Sequence, residues 1–102
     1  MLFHLSIDAD DPRHVAEVIA ELWGGRAFPF PPVLTGSWMA MAGDDRGTTV
    51  EVYPRGAELY EAPGDADAVG RISSSPGRTA THFAMATALD VAAVEAIAAR
   101  EG

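Results

Sequence analysis

Apolar and polar residues alternate at the start of the chain. Over residues 2–8, LFHLSID, Phe3, Leu5 and Ile7 fall on one side, and His4, Ser6 and Asp8 on the other. Period two predicts a strand with one buried face. Asp11-Pro12 then reads as a helix start, because Asp caps free N–H groups and Pro suits the first helical position. Val15, Val18, Ile19 and Leu22 follow at i, i+3, i+4, i+7, and Gly24-Gly25 supplies the stop. The spacing predicts a helix over 12–23. Pro29, Pro31 and Pro32 leave room between 26 and 33 for only a short edge strand or an extended crossing. Residues 37–42, SWMAMA, and 48–53, TTVEVY, read as a hairpin around a five-residue, Gly-bounded loop.

From residue 54 the pattern changes. Ten of the 25 residues in 54–78 are Gly, Pro or Ser, which predicts a long surface connection or a linker. Alternation returns over 80–87, ATHFAMAT, with Phe83 and Met85 opposite His82, Ala84 and Ala86, and predicts another strand. Asp90 caps a second predicted helix over 90–101, with Val91, Val94, Ile97 and Ala98 as its apolar stripe. Both helices are expected on one face of the sheet. Phe3, Leu5, Ile7, Val50, Val52, Phe83 and Met85 are expected to be buried beneath them.

Composition narrows the function classes. The chain has 102 residues, a formal charge of −8 and no cysteine. That length suits one domain. The acidic balance argues against nucleic acid and against anionic membranes as partners. Without cysteine there are no disulfides, thiolate metal sites or Cys nucleophiles. No apolar run reaches the ~18 residues of a membrane span. The acids near the N-terminus are unlike a signal peptide, so a cytoplasmic protein is expected.

Several local motifs lead nowhere. Asp8, Asp10 and Asp11 lack the Gly and Glu that complete a calcium loop. There is no G-x-S-x-G elbow. Gly24-Gly25 ends a helix instead of opening one, so it is no phosphate loop. What remains is the polar side of the predicted strands. His4, Glu51 and His82 have the chemistry to ligate a divalent metal, although the same alternation fits a sheet with one wet face. Ser6 and Tyr53 share these faces and can hydrogen-bond a ligand. Trp38, with Met39, Met41, Phe28 and Phe30, can shape an apolar pocket.

The beginning and end of the chain repeat one plan: a strand with His near its start, then an Asp-capped helix of about three turns. With His4 to Gly25, the hairpin ending in Thr-Val-Glu51-Val-Tyr, and Thr81 to Gly102, the chain resembles the vicinal oxygen chelate superfamily of glyoxalase I, extradiol dioxygenases and bleomycin-resistance proteins. The resemblance implies an α+β fold: a glyoxalase-like βαβββ module over 1–53, a linker over 54–78 and a partial second module, strand and helix, over 79–102. It implies a curved, mainly antiparallel sheet. It also implies a divalent metal (Zn, Ni, Fe or Mn) on His4, Glu51 and His82, which chelates two substrate oxygens, with Glu51 doubling as base. Ser6, Tyr53 and Trp38 would then contact the substrate. The activity implied is that of a lyase, isomerase or dioxygenase. A non-catalytic small-molecule binder and a scaffold of the same fold are the other readings. The family's fourth ligand has no counterpart here. Either the polypeptide is a shortened piece of a longer protein or two copies pair. A homodimer is expected, through a sheet edge or the residues around Trp38–Met41.

Overall fold

The computed structural model describes residues 2–102. The chain is α+β. In order along the chain it forms β1 (His4–Ala9), α1 (Pro12–Trp23), β2 (Arg26–Pro29), β3 (Trp38–Met41), β4 (Thr49–Pro54), β5 (Ala57–Tyr60), β6 (Val69–Ile72) and α2 (Val91–Glu101). The first five elements make a four-stranded sheet in the order β1-β4-β3-β2. β2–β3 and β3–β4 pair antiparallel, whereas β1 lies parallel to the central β4, with His4 opposite Thr49 and Ser6 opposite Glu51. A parallel pair needs a crossover, and α1 supplies it.

The start and stop signals of α1 act as expected. The Asp11 carboxylate accepts from the His14 N–H at 3.0 Å, and Pro12 takes the first helical position. At the other end Gly24 adopts a left-handed φ of 67°, and its N–H closes onto the Ala20 and Glu21 carbonyls. The buried stripe is centred on Ala16, Ile19 and Ala20. Val15, Val18 and Leu22, expected at its centre, are only half-buried. The two alanines let the helix backbone come close to the sheet, and bulky valines flank the contact. Against them pack Ala9, Ala40, Val50 and Val52, with Ile7, Trp38 and Met85 around the margin.

Three expectations need correction. The segment 80–87 forms no strand. Its apolar and polar residues alternate in sequence, yet it joins neither sheet, and Phe83 stays 37 % exposed. Phe3, at the start of the sheet, is 55 % exposed instead of buried. Finally, 54–78, expected as a long surface connection or a linker, contains two strands, β5 and β6, which pair as an antiparallel hairpin.

The second helix is where its Asp90 cap predicts, with the Asp90 carboxylate accepting from the Ala93 N–H at 2.8 Å. It flanks α1 instead of lying across the sheet. Arg100 reaches Glu21 of α1 at 2.6 Å, and Glu101 meets His14. The Thr87 hydroxyl bonds the Leu22 carbonyl and fixes the approach.

Candidate functional site

The site is built on the sheet face turned away from α1. Because β1 and β4 are in register, Ser6 and Glu51 stand side by side, and the pleat places His4, Asp8, Thr49 and Tyr53 on the same face. Met39 lies opposite Glu51 on β3, and Phe28 opposite Met39 on β2, so this face runs from polar to apolar across the sheet.

At its centre is a carboxylate with two hydroxyl partners. Ser6 Oγ donates to Glu51 Oε2 at 2.8 Å, and Tyr53 Oη donates to the same oxygen at 3.2 Å. The other oxygen, Oε1, takes part in no side-chain hydrogen bond among the described residues. Ser6 and Tyr53 line a cleft of 200 Å³, which Ala57 and Leu59 of β5 wall on one side and Thr79 and Thr81 on another. This cover explains why Tyr53 is only 4 % exposed although it faces away from the main core. Burial, and then the neighbouring Glu51 charge, pushes the Tyr53 hydroxyl up to about 12.

That shift has a sign that can be worked out. The folded chain keeps a proton on Tyr53 where the unfolded chain, with a tyrosine near ~10, releases it. The contribution to stability is therefore complete below pH ~10 and is lost as pH climbs towards 12. In a phenolate absorbance titration, a late step near 12 is expected. Tyr53→Phe should remove that step and leave that of Tyr60.

A second, larger cleft of 990 Å³ opens beyond the end of β1, lined by Asp8, Asp10, Arg55, Arg78 and His82 among others. Asp8 is a joint here. It accepts from the Gly56 N–H at 2.7 Å and from Arg55 Nη1 at 3.1 Å, while Arg55 Nε also reaches Asp10 at 3.1 Å. The sequence placed Asp8 on the polar side of β1 and offered it only as part of an incomplete calcium loop; nothing local marked Arg55 as its partner.

The expected ligands for a metal are not gathered. His4 is exposed on the Glu51 face, but His82 sits on the 80–87 segment, its ring Nδ1 2.9 Å from the Ala80 carbonyl, and lines the larger cleft. Among the described residues no group of three His, Asp or Glu side chains stands close enough to hold one ion. Trp38 lies on the opposite face of the sheet from Ser6, Glu51 and Tyr53. It is in register with Val52, on the α1 side, where the Arg13 guanidinium lies 5.2 Å from its ring centre.

No helix among the described residues is long and apolar enough to cross a membrane. In comparisons with known proteins, no family model, no curated protein and no solved structure matches this chain.

Proposed function

We propose that this protein is a glyoxalase-like small-molecule-binding module whose ligand docks against Ser6, Glu51 and Tyr53. The observation that carries the reading is Glu51. Its Oε2 is held by two hydroxyls, while Oε1 is left to accept a hydrogen bond or to take a proton. A carboxylate fixed in this way beside a half-closed cleft suits a ligand that presents a hydroxyl or ammonium group. The order β-α-β-β-β over residues 4–54 supports the glyoxalase-like assignment. Glu51 is also the group best placed to act as a base, should the bound molecule carry an acidic C–H.

The metal-centred enzyme is the competing reading, and one preparation separates the two. Protein purified without chelators is assayed for bound metal, then screened by thermal shift with a panel of small hydroxy acids and amino alcohols. Binding without stoichiometric metal, abolished in Glu51→Gln, is expected. One equivalent of Zn, Ni, Fe or Mn that disappears in both His4→Ala and His82→Ala would overturn the metal-free reading. Binding that survives Glu51→Gln would place the ligand elsewhere.

A further inference from the structure

The two clefts share a wall. Ile7, Asp8, Thr79 and Thr81 line both the 200 Å³ cleft at Tyr53 and the 990 Å³ cleft beyond the end of β1. Ser6 and Asp8 stand on one face of β1, two residues apart, which is ~6.6 Å at the rise of a parallel strand. A molecule docked at Glu51 therefore has a path along β1, past the Thr79 and Thr81 side chains, into the larger space.

Charge in the larger cleft is unevenly committed. Its lining includes two acids, Asp8 and Asp10, and two arginines, Arg55 and Arg78. Formally these four cancel, in a chain that carries −8. Arg55 holds both acids, donating from Nη1 to Asp8 at 3.1 Å and from Nε to Asp10 at 3.1 Å. Asp8 is engaged again by the Gly56 N–H at 2.7 Å. Arg78 has no ion pair and no aromatic partner among the described residues. An anion entering the cleft therefore meets acids already bound and a guanidinium still free. That group stays protonated at any ordinary pH, and its planar fork of donors matches a carboxylate. One free guanidinium balances one negative charge, so a carboxylate suits it better than a doubly charged phosphate, which Asp8 and Asp10 would repel more strongly.

We infer that the two clefts form one elongated site for a two-ended ligand, with a hydroxyl or ammonium group at Glu51 and a carboxylate, several atoms away, at Arg78. The ligand class is then an amino or hydroxy acid whose two groups sit at opposite ends of a short chain. The inference rests on the docking at Glu51 proposed above and adds the far end of the molecule. Groups on adjacent carbons do not serve, because the larger cleft begins only at Asp8, a full pleat beyond Ser6.

Chemical-shift titration of the full chain with hexylamine, hexanoate and 6-aminohexanoate tests it. The first probe carries only the cation, the second only the anion and the third both. In the unaltered protein 6-aminohexanoate is expected to bind ~fivefold more tightly than hexylamine, an advantage that shrinks with added salt. Hexanoate alone should bind more weakly than either. Arg78→Gln should bring 6-aminohexanoate down to the affinity of hexylamine and leave hexylamine unchanged, and Arg78→Lys should recover part of the difference. Arg26→Gln, on β2 and outside both clefts, should change neither. Arg78 is exposed, so circular dichroism should be unaltered by its replacement, and the comparison of probes on the unaltered chain needs no variant at all. Equal affinities for hexylamine and 6-aminohexanoate, both lost in Glu51→Gln, would overturn the inference and leave the Glu51 reading standing. Binding of neither amine would overturn both. Binding of 6-aminohexanoate that falls in Arg78→Gln but ignores Glu51→Gln would make the larger cleft a separate anion site and sink the joined one.

Discussion

Gly25→Ala should destabilise the fold by roughly 3 kcal/mol, among the largest effects of any single-methyl addition in this chain. A β-carbon built on Gly25 would sit 1.9 Å from the Met41 carbonyl oxygen, and the atoms in the way are backbone. Met41 is paired with Arg26 and Thr49, so it cannot retreat without breaking both ladders. Gly24→Ala, one residue earlier, is the natural comparison. It meets open space but must hold a φ of 67°, a cost of ~1–2 kcal/mol. Urea unfolding followed by circular dichroism should rank Gly25→Ala well below Gly24→Ala. Equal midpoints would mean that the β2–β3 junction relaxes far more easily than its geometry implies.

Asp8→Ala should cost ~1–3 kcal/mol for a different reason. Its carboxylate is the acceptor for the N–H of buried Gly56, and the alanine leaves that donor without a partner. Asp8→Asn keeps an acceptor at the same place and should recover a good part of the loss. The same unfolding experiment distinguishes them. Equal losses for the two variants would point to the carboxylate charge beside Arg55, not to the Gly56 bond, as the main contribution.

The sequence made α1 legible because three signals agree there: the Asp11-Pro12 start, the apolar stripe and the Gly24-Gly25 stop. The β3–β4 hairpin was legible for a similar reason, with Gly43 and Gly47 framing its loop. Once β1 and β4 are placed as strands, alternation alone puts Ser6, Glu51 and Tyr53 on their polar sides. Their meeting is a matter of register, which no local pattern encodes. The failure at 80–87 follows from the same limit. Alternation describes side-chain direction and does not require a paired neighbour, so Phe83 and His82 were credited with a strand that does not form, although Met85 packs against the sheet's core. β5 and β6 were hidden by their surroundings. AELY and VGRI are short, and Gly70 together with the Pro63-Gly64 turn made the region look like a connection. Gly70 has a specific use, since a side chain there would press on the Val33 carbonyl and Leu34.

The parallel seam between β1 and β4 bears on the order in which the molecule assembles. β3 and β4 are joined by a short loop and can find each other quickly, and α1 forms from contacts within twelve residues. β1 has no such local partner: Leu5 must find Val50, and Ile7 must find Val52. Closing so long a loop is entropically costly, and distant pairings slow folding. β1 is therefore expected to dock late, onto a nucleus of α1, β3 and β4. Substitutions along β1 should accelerate unfolding while leaving the folding rate nearly unchanged, as expected for contacts absent from the transition state. Ser6 rides on that strand, so the Ser6–Glu51 bond is expected among the last to form and among the first to be lost.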